Sequence, residues 1–163
     1  MYRMPALSIW APYPQLIADE QKVIETRTWC PRYRGDVAIH VAASREVPSS
    51  DPVWQYTDGA PHMKVRGVVI AVATLVETLE MRDYTEALLP GIEIRPLELV
   101  MRRTRRSPVI IDHQWPFGTF KPGMFGLVLD CVRVLKNPVL VSGGQKLWRM
   151  PVDATHAVLQ QVG

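Results

Sequence analysis

Apolar and polar positions along this chain fall into two periods, and the switches between them outline the predicted elements. Ala6–Trp10 is a short apolar run, read as a strand. In "PQLIADEQ" (residues 14–21) the proline fits the first turn of a short helix, where its missing N–H is not needed, and Leu16 and Ile17 anchor that helix inward. Residues 23–28 alternate and predict a strand with one polar face. "YRGD" (33–36) reads as a turn and "VAIHV" (37–41) as a nearly continuous apolar strand. Residues 45–62, with three prolines and a glycine, read as a long loop. "GVVIAVATLVE" (67–77) is the strongest strand signal, uncharged and β-branched until its final Glu77.

Farther on, Asp83 and Glu86 have the spacing of a capping box, with Pro90-Gly91 closing the helix it would start. Pro96–Arg103 is a second helical candidate that runs into "RRTRRSP". "MFGLVLDCVRVL" (124–135) is another long strand after a "KPG" turn, "VSGG" turns the chain into a last short strand, and Asp153 is placed to cap a C-terminal helix. Strands at both ends with short helices between them predict an α+β fold with an antiparallel or mixed sheet, and short spaced strands with Gly/Pro turns fit a small barrel. A dinucleotide-binding fold is excluded, because no strand leads through a glycine-rich loop into a long helix.

Composition narrows the class. With 163 residues, 47% of them hydrophobic and 21% charged, the chain can bury one sizeable core and is expected to be a single folded domain spanning 1–163. A net charge of +3, carried mostly by arginine, permits nucleic-acid binding without requiring it. Cys30 and Cys131 are far apart and in no CxxC arrangement, so no disulfide framework is expected. Prolines at 5, 12 and 14 interrupt any signal-peptide core, and no uncharged run approaches a membrane span; a cytoplasmic, soluble protein with no membrane partner is expected.

The candidate chemistry is polar and cationic. His40, His62, His113 and His156 are scattered without ligand spacing, so no metal is expected, and no motif calls for a cofactor. Within "KVIETRTW" (22–29), period two puts Glu25 and Arg27 on one strand face, with Lys22 at the helix-to-strand junction able to fold over it. A carboxylate flanked by two cations can accept from a nucleobase edge, and the guanidinium can grip a phosphate or stack on a base; the alternative is a solvated i,i+2 salt bridge worth ~0–1 kcal/mol. Arg102, Arg103, Arg105 and Arg106 can track a phosphate backbone, or can form a solvated helix end whose cations complement the macrodipole. Trp29 and Trp115, each predicted at the end of a strand, are the stacking candidates; Trp54 is a possible lid, and core packing is expected for Trp10, Phe125 and Trp148.

Taken together, "ALSIWAPYPQLIADEQKVIETRTWCPRYRGDVAIHVAAS" resembles the first half of an ASCH domain, with its opening strand, P-x-x-x-L-I helix, K-x-x-E-x-R element (Lys22, Glu25, Arg27), "YRG" turn (Tyr33, Arg34, Gly35) and "IH-A" strand (Ile39, His40). "GVVIAVATLVE", "FKPGMFGLVL" and the closing P-V-x-x-x-G-G-x-x-L-W are similar to later family segments, while residues 46–62 and 80–108 fall outside the likeness as insertions. The resemblance implies a small PUA-like β-barrel with short flanking helices and a basic cleft built on the K-x-x-E-x-R element. It implies binding of RNA, most simply single-stranded, or of a nucleotide, with DNA possible and no protein partner indicated; Lys22, Glu25, Arg27, Trp29, Tyr33, Arg34, His40, Trp115 and the arginine run are the candidate contacts. One branch of the family resembles an amidohydrolase acting on N4-acetylcytidine, and others resemble ribonucleases. An enzyme of either kind would use Lys22 and Glu25, but the amidohydrolase branch has a threonine where this chain has Glu25, and a carboxylate is a poor substitute for a hydroxyl nucleophile.

Overall fold

A computed structural model describes residues 1–83, 99–103, 106–110 and 112–163. Among the described residues, eight strands and two helices follow in the order β1 (Pro5–Ala11), α1 (Tyr13–Ala18), β2 (Ile24–Arg27), β3 (Gly35–Glu46), β4 (Val68–Asp83), β5 (Leu99–Arg103), β6 (Arg106–Ile110), β7 (Phe125–Leu140), β8 (Leu147–Arg149) and α2 (Val152–Val162), with 3-10 turns at Pro52–Tyr56 and Asp112–Phe117. The hydrogen-bonded order is β2-β7-β4-β3-β1-β8, with β5 on β4 and β6 on β5. β1 runs parallel to β3, whereas β1/β8, β2/β7, β4/β5 and β5/β6 are antiparallel, so the fold is α+β with a mixed sheet. Among the described residues the strand order is open, with ends at β2 and β8, where the sequence suggested a small barrel.

The chain divides into two compact units. The first comprises Met1–Lys22, Gly35–Thr74 and Asp130–Gly163. Its core joins Met4 and, from β1, Ala6 to Ala38, Val69, Val72, Leu135 and Val141, and is closed by Met150 with Ala154 and Val158 of α2. Burial of such aliphatic side chains, each worth roughly 1.5–3 kcal/mol for the larger ones, is the main stabilising term. The helix α2 begins one residue before Asp153, which therefore lies in the first turn and complements the dipole instead of capping it.

Inside this unit His40 is 1% exposed and bonded at both ring nitrogens. The Val141 carbonyl, 2.9 Å from Nε2, can only accept, so Nε2 carries the proton and Nδ1 accepts from the Ser8 hydroxyl at 3.0 Å. Ser8 Oγ in turn accepts from Trp148 Nε1–H (3.0 Å) and Gly144 N–H (3.3 Å). Trp148 meets the imidazole edge-on, with centroids 5.6 Å apart. Gly143 permits this approach, since a Cβ there would lie 2.7 Å from Ser8 Oγ and 2.8 Å from His40 Cε1.

The second unit comprises Val23–Arg34 and Leu75–Leu129, with a core of Ile24, Leu79, Met81, Phe120 and Met124. Two sequence expectations change here. Residues 99–103 of the predicted Pro96–Arg103 helix are strand β5, in register with β4 from Leu79↔Arg103 to Asp83↔Leu99; ladder hydrogen bonds to β4 override the helical propensity of Leu, Met and Arg, which tertiary context readily does. Asp83 is the last residue of β4, and the remainder of its expected capping box and helix lies outside the described residues. Elsewhere, Glu46 still belongs to β3, and the loop after it carries the Pro52–Tyr56 turn, whose start is capped by Asp51 accepting from Val53 N–H at 2.9 Å. Trp54 ties its indole N–H to the carbonyls of Pro48 (2.9 Å) and Val47 (3.3 Å) within that segment. No helix among the described residues is long and apolar enough to cross a membrane.

Two buried or bridged groups set an acid profile for this fold. Burial is the main cause that lowers the pKa of His40 from its ordinary 6.5, partly offset by its carbonyl contacts. As pH falls below about 6.5 the unfolded chain takes up this proton and the folded chain does not, so stability declines from there down to the folded pKa. Asp36 is lowered from 3.8, chiefly by its bond with Arg133, which outweighs the opposing desolvation and is helped by a smaller contribution from the Thr74 hydroxyl, so its contribution is lost only as pH falls below 3.8. Urea unfolding across this range should show two separate losses, the upper absent in His40→Gln and the lower in Asp36→Asn. An upper limb unchanged in His40→Gln would contradict the buried neutral imidazole.

Candidate functional site

Lys22 is set by the end of α1. Glu20 adopts φ 59, and the amides of Glu20 and Gln21 return to the carbonyls of Ile17 and Leu16, both at 3.0 Å, which is the hydrogen-bond pair of a Schellman ending. This left-handed turn stops the helix at Ala18, short of the predicted residue 21, and brings the Lys22 amide onto Leu16 O as well. Lys22 is consequently 1% exposed, with its ammonium 5.0 Å from the centroid of the Tyr13 ring. Removing an ammonium from water costs several kcal/mol before partners repay it, so burial at this position is a constraint the fold has to carry.

Glu25 and Arg27 lie on β2, which pairs with β7 through Glu25↔Leu127 and Arg27↔Phe125. Glu25 is 7% exposed, and Arg27 Nε stands 3.1 Å from its Oε1, as period two requires of residues on one strand face. The Arg27 guanidinium carbon is also 5.9 Å from the Trp29 ring centroid, so carboxylate, guanidinium and indole form a contiguous series. Thr26, on the opposite face, accepts from Thr119 N–H at 3.2 Å, and Gly118 lies so close that a Cβ there would be 2.9 Å from its hydroxyl. Its hydroxyl is thus engaged with the 118–119 turn.

The remaining predicted residues are distributed. Trp115 is 46% exposed and stacked on Phe120, with ring centroids 6.0 Å apart and 21° between planes. Arg34 donates to the carbonyls of Pro31 (3.0 Å) and Tyr33 (2.8 Å), bracing the turn into β3, and Tyr33 is half-buried. His40 belongs to the closed network with Ser8 and Val141 described above. Arg102 and Arg103 are on β5 and Arg106 on β6, with Arg103 opposite Arg106 in the antiparallel register; the alternative of a solvated helix end is corrected to a strand pair. Arg105 lies outside the described residues. Among the described residues no His, Cys, Asp and Glu cluster has a metal-binding arrangement.

Three residues were missed from sequence. Gln114 is 1% exposed, and its Oε1 accepts from the amides of Val23 (2.9 Å) and Ile24 (3.3 Å), fastening the Asp112–Phe117 turn to the start of β2. Gln15 is fully buried on α1 and donates to the His62 carbonyl at 3.2 Å. Both are amides within apolar surroundings, a signal the sequence carried. Trp10, expected in the core, is 45% exposed with the Arg45 guanidinium carbon 5.8 Å from its ring centroid; its place in an apolar run concealed this.

An α+β domain with a mixed sheet, a short first helix and a buried cation just beyond it is the class these features define. The chain matches the ASCH domain over residues 7–103, more than half its length, and it belongs to the ASCH domain family. The crystal structure of the ASCH protein from Zymomonas mobilis is similar in fold, with a TM-score of 0.50 at 15% identity over 97% of this chain and 94% of that one. A single-substitution mutant of the same bacterial protein gives 0.50 at 14% identity over 98% of both chains. No curated protein matches the chain significantly.

Gln114→Ala should remove the side-chain acceptor that the Val23 and Ile24 amides share, costing about 1–3 kcal/mol locally. Amide hydrogen exchange at Val23 and Ile24 is expected to quicken at least about tenfold, with distant strands unchanged. Unaltered exchange at both amides would show that Gln114 does not secure β2.

Proposed function

We propose that this ASCH protein binds RNA, single-stranded in preference to duplex, or a nucleotide, through the Lys22-x-x-Glu25-x-Arg27 element. The observation that carries this proposal is the burial of both Lys22 (1% exposed) and Glu25 (7% exposed) within one short stretch. A fold selected for stability alone gains more from apolar side chains at such positions, because desolvating each charge opposes the pairing energy. Glu25 presents acceptor oxygens suited to an exocyclic amine or ring N–H, Lys22 supplies a donor, and Arg27 with Trp29 suits a phosphate or the face of a base. Arg103 and Arg106, within a run of four arginines in five positions, suit phosphates through counterion release. With Arg102 and Arg105 these residues, Arg34 and the stacked Trp115 complete the proposed contact set, and His40 acts by supporting its strand. DNA is a weaker alternative ligand. The PUA-like β-barrel belongs to the same proposal as the finer description of the fold, and its support is the ASCH family match.

A labelled single-stranded RNA oligomer titrated by fluorescence anisotropy tests this directly, with single-stranded DNA, duplex RNA and free nucleosides alongside. Lys22→Ala and Arg27→Ala should each weaken RNA binding about tenfold or more while circular dichroism stays unchanged, as expected for lost charge-assisted hydrogen bonds. Arg27→Ala should also reduce the salt dependence by roughly one phosphate contact. RNA affinity unchanged in both variants would remove the element from the binding site.

A further inference from the structure

Trp10 owes its exposure to an irregularity in the sheet. β1 and β3 run in parallel register through Ile9↔Val41 and resume at Ala11↔Glu46. Between these pairs β1 contributes Trp10 alone, whereas β3 contributes Ala42, Ala43, Ser44 and Arg45. The first three are too small to cover an indole, and Ala43 is hemmed in by Gly67, where a Cβ would stand 3.3 Å from the Ala43 Cβ. Gly67 itself holds φ +68 and donates to Val41 O at 2.8 Å, fixing the base of the bulge. Arg45 reaches back, its guanidinium carbon 5.8 Å from the ring centroid, and the residue remains 45% exposed.

The charge balance around this bulge is one-sided. Glu46, the neighbouring acid, is taken by Arg66, whose Nε donates to Oε2 at 3.1 Å. Arg45 has no carboxylate partner among the described residues. An open indole beside a guanidinium with no carboxylate partner among the described residues matches a ligand that offers a flat ring next to a negative charge, the combination repeated along every nucleic-acid strand.

We propose that Trp10 and Arg45 form a second contact for single-stranded nucleic acid, outside the Lys22–Arg27 element, where one base stacks on the indole and an adjacent phosphate meets the guanidinium. This inference rests on the RNA-binding function proposed above and adds a site to it. An acidic peptide would engage Arg45 without needing the ring, and duplex nucleic acid would present no free base face.

The test uses the full chain labelled with 5-fluorotryptophan, the Trp10 resonance being identified by its loss in Trp10→Phe. Addition of a single-stranded RNA oligomer should shift or broaden that resonance. Trp10→Ala should weaken binding about tenfold, as expected for one lost base stack, with Trp10→Phe retaining most of the affinity. Arg45→Ala should lower the slope of log affinity against log salt by about 0.7, the value for one single-strand phosphate. An oligomer that binds while the Trp10 resonance stays still, with Trp10→Ala and Arg45→Ala as tight as the parent, overturns this contact and leaves the Lys22–Arg27 proposal standing. An oligomer that fails to bind the parent protein even at low salt overturns both.

Discussion

The neutral imidazole of His40 is the interaction on which the first unit depends. It gives its Nε2 proton to the Val141 carbonyl and receives the Ser8 hydroxyl proton at Nδ1, while Ser8 takes the indole N–H of Trp148 and the amide of Gly144. Three segments remote in sequence, β1, β3 and the stretch from Val141 to β8, are joined by these bonds. The two glycines are there because a side chain at either would occupy the space of Ser8 and His40 or of Trp148. Two positions along the same strand face from Ser8 stands Trp10, where the network ends and the indole emerges into solvent.

Against that apolar framework the charges of residues 22–27 stand out physically. A left-handed residue at Glu20 ends α1 early and delivers Lys22 to a buried position over Tyr13, and a four-residue strand holds Glu25 and Arg27 side by side. Such a short strand has few ladder bonds of its own, and the Gln114 side chain supplies acceptors for the two amides at its start. The Thr26 hydroxyl is engaged with the 118–119 turn on the other face, so the polar face of β2 is left to the ion pair and its tryptophan neighbour.

Much of the fold was legible because its strongest signals are local. The β-branched run at 67–77 and the apolar run at 124–135 are strands β4 and β7, and the alternation at 23–28 is β2 with its faces as expected. Hidden features were those set by tertiary partners. Leu99–Arg103 became a strand because it pairs with β4, which no propensity within the segment reveals. Trp10 was assigned to the core from its apolar neighbours, but its exposure follows from the three extra residues in β3 opposite it. At the site, the Glu25–Arg27 pairing followed from spacing, whereas the support from Gln114, about 90 residues away in sequence, required the folded chain.

The central claim, that residues 22–27 receive a nucleic-acid ligand, is tested most directly by the amide and side-chain NMR signals of an isotope-labelled protein titrated with a short single-stranded RNA. Saturable shifts concentrated on Lys22, Glu25, Arg27 and Trp29 are the predicted result. Saturable shifts that leave these four residues unmoved, with the RNA bound elsewhere, would contradict it.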